Sequence, residues 1–434
     1  MKYVVIGTGV AGISAVEAIR SVDRAGEIVM LGDDPHGYYS RPGLAYILTG
    51  ELQDESLFPK KREDYIPLKF KYKKARVIRI DRANKVLHLD DKTPLAYDKL
   101  LIATGASAIP LTVPGANLQG VMKLDHLEDA RGILKHAKRG RTAIVVGGGI
   151  TALELTEGLL ARGVHVHYLL RGNRYWSSVL DEHESRIVEG RLQAEGVTLH
   201  FHSEVQEIIG KSGKVRGVRL LDGRTMKCDM LAYAVGIKPR AELAKSADLA
   251  LDRGILVNEY LQTNDPNIYA AGDVAQVYDP LTGRSVLDSL WSPAREQGYA
   301  AGLNMAGKSQ AYVKMVPFNV TRLAGLTTTI IGAVGHGRDE DIVGIARGDS
   351  ETWRQLPDAI VAQGGFDINR VRLLVGEDYL IGAVVMGDQK LSVPLQRMIS
   401  EKINISSIRD TLLKKDTKVA DVIVDFWSHH VAAV

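Results

Sequence analysis

Val4-Val5-Ile6-Gly7-Thr8-Gly9-Val10-Ala11-Gly12-Ile13-Ser14-Ala15 decides the fold. The apolar run Tyr3–Ile6 reads as a buried strand, Gly7–Gly12 as a tight turn, and Ile13–Ile19 as the helix that follows. Glycines at such a turn let the backbone approach a pyrophosphate, which then sits on the free N–H groups and partial positive charge of the helix start. One match is a weak signal, because a strand-to-helix turn can be tight and hold nothing. The pattern recurs, however, about 140 residues further on. There Thr142–Val146 is apolar and β-branched, Gly147-Gly148-Gly149-Ile150-Thr151-Ala152 is the turn, and Leu153–Ala161 continues as helix. Each unit has a second strand, Glu27–Leu31 and Val164–Leu170. The spacing is too long for a stacked repeat and predicts two separate dinucleotide-binding domains.

Outward from these units, Arg76–Asp81 and Val86–Leu89 alternate like strands, and Leu100–Ala103 leads to Gly105. Pro110 and Pro114-Gly115 mark a linker. Val215–Leu220 and Met230–Val235 read as strands, the latter ending at Gly236, and Pro293–Ala306 reads as a helix. From about Pro317 the texture changes to the strand runs Thr327–Val334, Arg370–Val375 and Leu380–Met386, then helical Val393–Lys402. The fold class is therefore α/β: two Rossmann-like three-layer dinucleotide-binding domains plus a C-terminal α+β domain.

With 45% hydrophobic and 25% charged residues over 434, the composition is that of a globular chain able to bury large cores without staples. A formal charge of +3 is too small to indicate a nucleic-acid binder. The single cysteine, Cys228, excludes an internal disulfide, a structural zinc site, an iron–sulfur cluster and a two-cysteine redox centre. No metal site is expected. The N-terminus lacks the pattern of a signal peptide, and the apolar stretch from Ala143 to Ala161 is broken by glycines, Glu154 and Glu157. A cytoplasmic protein with no membrane partner is the expectation.

Ribose-binding acids belong after the second strand of each unit. Asp33 and Asp34 are the candidates in the first; in the second, Leu170 occupies that place, followed by Arg171 and Arg174. Arginine accommodates a 2′-phosphate where an acid would repel it, so this site leans to NADPH. Two arginines on a solvated loop are the alternative.

Six stretches, in order, resemble the flavoproteins with two dinucleotide-binding domains. They are Gly7–Gly12, Asp34–Leu44, Tyr97–Gly105, Gly147–Glu154, Ala234–Pro239 and Thr263–Ala275. They are most similar to the branch holding ferredoxin and rubredoxin reductases, NADH oxidases and the flavin-bearing part of assimilatory nitrite reductases, over about the first 310 residues. The resemblance implies an FAD-binding domain split between residues 1–111 and 251–315, an NAD(P)H-binding domain at 112–250, and an interface domain at 316–434 that builds a homodimer. It implies that Gly7, Gly9 and Gly12 hold the FAD pyrophosphate and Asp34 the adenosine ribose. Arg41 and Pro42 would lie beside the cofactor, Ala103-Thr104-Gly105 would cross near the flavin, and Asp273 would bind the ribityl chain. The helix from Pro293 would aim its N-terminus at the flavin's pyrimidine edge. Gly147, Gly149 and Ala152 would hold the nicotinamide cofactor's pyrophosphate, with Glu154 and Gly236 beside its ring.

Two departures sharpen the expectation. Disulfide-type members carry a redox cysteine in the segment that here is Ser40–Leu44, and the position falls at about Pro42. Ferredoxin reductases often carry a lysine where this chain has Tyr46. Pro42, Tyr46 and Glu154 are thus the candidate catalytic positions, and the expected route is NAD(P)H to FAD, then directly to an external iron–sulfur carrier or partner subunit. An NAD(P)H oxidase and a nucleotide-sensing flavoprotein are the alternatives. Lys60-Lys61-Arg62 and the run Lys69–Arg76 would suit an acidic carrier, though a solvated strand face explains them equally. His165, His167, His429 and His430 read as surface or terminal positions, and Cys228 as a small apolar residue near a strand start.

Overall fold

The computed structural model describes residues 1–280, 283–334, 369–414 and 417–432. Lys2–Ile6 lies at the centre of a five-stranded parallel sheet, ordered Ile268–Ala270, Lys99–Ile102, Lys2–Ile6, Glu27–Gly32, Phe70–Lys74. Val4, Val5, Leu100, Leu101 and Ile102 are fully buried, as expected of strands covered on both faces. The sheet's first-numbered edge strand, Ile268–Ala270, comes from beyond the second sheet in sequence. That second sheet is also parallel and runs Thr198–His200, His165–Leu169, Thr142–Val146, Met230–Tyr233, Val121–Lys123. Both glycine turns therefore leave the C-terminal ends of central strands, where parallel sheets bind ligands.

The C-terminal part is a four-stranded antiparallel sheet, ordered Phe318–Leu323, Leu326–Gly332, Leu380–Met386, Arg370–Val375, and backed by helices including Ser392–Ser400. Leu380, Ala383, Val385, Leu395 and Met398 form its core. Two salt links from the strand Arg370–Val375 tie it to the second unit: Arg370 to Asp181 at 2.6 Å, and Arg372 to Glu184 at 2.9 Å.

The helix expected from Pro293 begins at Trp291 and runs to Met305. It crosses the helix Val10–Val22 backbone to backbone. A Cβ on Gly298 would stand 2.1 Å from the Ala11 carbonyl oxygen, and one on Gly302 would stand 2.4 Å from that of Ala15. Strand Met230–Val235 stops at Tyr233, where the chain leaves the sheet through Ala234 towards Gly236, whose φ is +119°.

Part of the basic run forms the edge strand Phe70–Lys74, where Lys71 pairs with Glu27 at 3.0 Å and Lys73 with Asp91 at 2.9 Å. The charges of Lys71 and Lys73 are thus balanced within the fold. His165 is exposed, but His167 is half-buried because its ring shares a hydrogen bond with His200 across adjacent strands, N to N 3.1 Å. His429 and His430 lie on the last helix, Val419–Ala432, with the His430 ring stacked on Phe426. Among the described residues, no helix is long and apolar enough to cross a membrane, and no group of three or more metal-ligating side chains occurs.

Candidate active site

The two turns are built alike. Gly7 has φ +119°, and a Cβ there would stand 2.1 Å from the Ala103 carbonyl oxygen. Gly147 has φ +147°, and its Cβ would stand 2.3 Å from the Ala234 carbonyl oxygen and 2.9 Å from Ala152 Cβ. Gly12 is pressed on the Gly7 carbonyl in the same way. Gly9 and Gly148, by contrast, face open space within 4 Å. Gly9 and Gly149 are the N-cap residues of their helices, and neither helix start has a side-chain capping bond. Uncapped N–H groups beside an open glycine face fit an anionic diphosphate at each turn.

Between the turns lies a cleft with about 760 Å³ of space open to solvent. The first unit contributes Gly9, Arg41, Pro42, Asp273 and Trp291; the second contributes Thr151 and Glu154. Five expected positions, Gly9, Arg41, Pro42, Glu154 and Asp273, thus converge from four separate stretches. Trp291 was not singled out, although it starts the helix. Its indole N–H is buried and has no hydrogen-bond partner among the described residues. A ring system offering carbonyl or imine acceptors would satisfy it, so the cleft's donor set fits a flavin.

Other expected residues stand around the cleft. Ala103 underlies Gly7, the Thr104 hydroxyl donates to the Arg240 carbonyl at 2.9 Å, and Gly105 takes φ +68°. Asp34 is half-buried; its carboxylate accepts from the His36 N–H at 2.9 Å and the Tyr39 hydroxyl at 3.3 Å. Asp33 is exposed beside it. A polar junction that sequence reasoning missed joins the units here: His126 lies 3.4 Å from Arg41 and 2.9 Å from Arg240, and burial, aided by both guanidinium groups, holds its pKa down. The signal was faint, because Asp125-His126 reads as an ordinary helix start. Arg171 is exposed, and the half-buried Arg174 donates to the Ser177 carbonyl at 3.3 Å.

Tyr46 lies outside the main cleft, in an adjoining cavity with Pro42, Ala45, Thr49, Glu154, Glu157, Thr321 and Arg322. The Arg322 guanidinium sits over the Tyr46 ring, 5.5 Å from its centroid. A cation from the C-terminal sheet therefore stands beside Tyr46.

Cys228 is buried against Ile208, Val215, Val218 and Leu231, and burial pushes its thiol up to about 12. A thiol held protonated in an apolar core is inert. Cys228→Ser should leave flavin reduction and turnover unchanged within about twofold, with a stability loss of about 1–3 kcal/mol for burying the hydroxyl. Stopped-flow reduction and thermal melting check both halves.

The fold and the cleft define a protein that brings two dinucleotide-type units to one shared reactive space. The family model described as pyridine nucleotide-disulphide oxidoreductase matches residues 1–298, and the chain belongs to that family. It is 30% identical over 420 residues to the assimilatory nitrate reductase electron transfer subunit of Bacillus subtilis, covering 96% of this chain and 51% of that protein. The chain thus spans about half the length of that relative. It is 30% identical over 359 residues to the biphenyl dioxygenase system ferredoxin–NAD(+) reductase component of Paraburkholderia xenovorans, covering 81% of this chain and 85% of that one. The crystal structure of the covalent putidaredoxin reductase–putidaredoxin complex shares the fold, with a TM-score of 0.81, 23% identity and 98% of both chains covered.

Proposed function

We propose that the chain is an FAD-dependent NAD(P)H oxidoreductase that hands electrons directly to an external iron–sulfur carrier or partner subunit. The observation that carries this reading is the cleft lined from both units, with Pro42 and no sulfur among its described lining residues. When bound, FAD supplies the step from a two-electron hydride donor to one-electron delivery. The chain's own part is orientation. Gly7, Gly9 and Gly12 would hold one diphosphate, with Asp34 at the adenosine ribose and Ala103-Thr104-Gly105 closing the far side. Gly147, Gly149 and Ala152 would hold the other, with Glu154 and Gly236 beside the nicotinamide. Asp273 and the N-terminus of helix Trp291–Met305 face the cleft, and the helix dipole favours negative charge there. The names of the two sequence relatives, an electron transfer subunit and a ferredoxin reductase, support delivery to a carrier.

Residues 1–111 and 251–315 would form the FAD unit and 112–250 the nicotinamide unit. The exposed apolar side chains Ile381, Val393 and Val424 support a homodimer built on residues 316–434.

Anaerobic titration with NADH and NADPH, followed by addition of rubredoxin, ferredoxin or oxygen, tests the reading. A protein purified without flavin would overturn it. Fast oxygen consumption with idle carriers would make the chain an oxidase, and slow reoxidation by every acceptor would leave a nucleotide sensor. Replacing Arg171 and Arg174 together with Ala should raise KM for NADPH by about tenfold and KM for NADH by less than about twofold, as expected for the loss of roughly 1.4 kcal/mol of phosphate binding. Equal effects would remove the NADPH preference.

A further inference from the structure

The cavity around Tyr46 places a second carboxylate within reach of the cleft. Helix Ile150–Ala161, helix Leu44–Thr49 and strand Phe318–Leu323 converge there. The cavity holds about 400 Å³ of open space and shares Pro42, Ala45 and Glu154 with the larger cleft, so the two adjoin across these residues. Glu157 lines it one helical turn beyond Glu154, with about 5–6 Å expected between their Cβ atoms. The Gly325 N–H donates to Glu157 Oε1 at 3.0 Å. Arg322, the neighbouring cation, is engaged by Glu51 through both carboxylate oxygens and acts on Glu157 only through space.

Burial pushes the Glu157 carboxyl up to about 7, with Glu195 and Glu51 adding to the rise, while Arg322 and the Gly325 N–H oppose it. The buried hydroxyls of Tyr168 and Tyr175, which burial holds protonated, feel its charge. Next to Gly325, Arg191 donates to the Ala324 carbonyl at 2.6 Å.

Resting on the proposed electron route, we propose that Glu157 is the relay carboxyl through which the proton of each turnover leaves the cleft. The balance requires one: NAD(P)H and two oxidised one-electron carriers give NAD(P)⁺, two reduced carriers and one proton. The nicotinamide C–H bond breaks, its electron pair leaves as two single electrons, and the hydrogen nucleus must be carried out as a proton. Glu154 borders the cleft and Glu157 the adjoining cavity, so the proton has an acidic path towards solvent at the C-terminal sheet.

The test uses the flavin-loaded chain with NADH and ferricyanide, an obligate one-electron acceptor, in weak buffer with phenol red. In the wild type, proton release should keep pace with ferricyanide reduction above about pH 7 and lag below it, where the carboxyl is already protonated. Glu157→Gln should delay release by about tenfold above pH 7, with the difference from wild type shrinking below it, and leave flavin reduction by NADH unchanged. Glu157→Asp should recover part of the rate. Independently of turnover, an infrared carboxyl band titrating near neutrality in the flavin-free chain should vanish in Glu157→Gln. A Glu157→Gln protein with wild-type release and pH profile, or with the band intact, overturns the relay alone. A wild type whose flavin NADH does not reduce overturns the electron route, and the relay with it.

Discussion

Gly298→Ala should fold poorly and lose its flavin, although alanine is the better helix former. In an unobstructed helix this exchange gains about 1 kcal/mol, because glycine loses more backbone freedom on folding. At Gly298 the added carbon would stand 2.1 Å from the Ala11 carbonyl oxygen, 2.6 Å from its Cα and 2.7 Å from its carbonyl carbon. All three are main-chain atoms, so no rotamer change relieves the overlap, and the helices must separate. Overpacking of this kind costs about 1–3 kcal/mol or more. The damage is local to function, because Ala11 belongs to the turn after Gly9 and Trp291 starts the opposing helix at the cleft. Gly190→Ala is the matched control: it lies within helix Glu182–Ala194 with nothing inside 4 Å of its would-be Cβ, and should stabilise by about 0.5–1 kcal/mol. Melting curves and flavin-to-protein absorbance ratios read both variants. Equal stabilisation by the two would show that the close crossing does not exist.

Gly298 and Gly302 also show where sequence reading stops. The pair stands four residues apart in a segment recognisable as helical, yet nothing in the segment says which partner the small face meets. That partner, Ala11 to Ala15, is some 290 residues earlier, and only the completed sheet brings them together. The glycine turns were legible because strand, turn and helix are contiguous and their chemistry is local. The central parallel strands were legible from unbroken apolar runs, whereas Phe70–Lys74, a largely exposed edge strand, reads as a charge cluster. The same distinction separates the site residues. Gly9, Pro42, Glu154 and Asp273 sit in ordered motifs, while the meeting of Tyr46 with Arg322 depends on a sheet assembled from the far end of the chain. The helix Leu44–Thr49 escaped notice because six residues give too short a period to read, yet it packs directly on the second unit: a Cβ on Gly158 would stand 2.5 Å from Leu48 Cβ.

Gly147→Ala should separate the two nucleotide functions, leaving a yellow protein that NAD(P)H no longer reduces. Gly147 takes φ +147°, a region costly for any side chain, and its Cβ would stand 2.3 Å from the Ala234 carbonyl oxygen. Such strain costs about 1–3 kcal/mol and is relieved by moving the turn, which displaces the start of helix Ile150–Ala161. That helix carries Thr151 and Glu154 into the cleft, so the nicotinamide unit loses both its diphosphate seat and its alignment. A displacement of about 1 Å is enough to slow hydride transfer by about 10²-fold. The first turn is untouched, because Gly7 packs on Ala103 in a different sheet. Flavin content should therefore stay at wild-type level, and dithionite, which needs no binding site, should still bleach it. Gly7→Ala is the reciprocal variant: its Cβ would meet the Ala103 carbonyl oxygen at 2.1 Å, and flavin should be lost while the second sheet remains folded. If Gly147→Ala instead lost flavin, or kept full reduction by NAD(P)H, the second turn would not be the nicotinamide seat. The division of labour between the two glycine turns would then have to be redrawn.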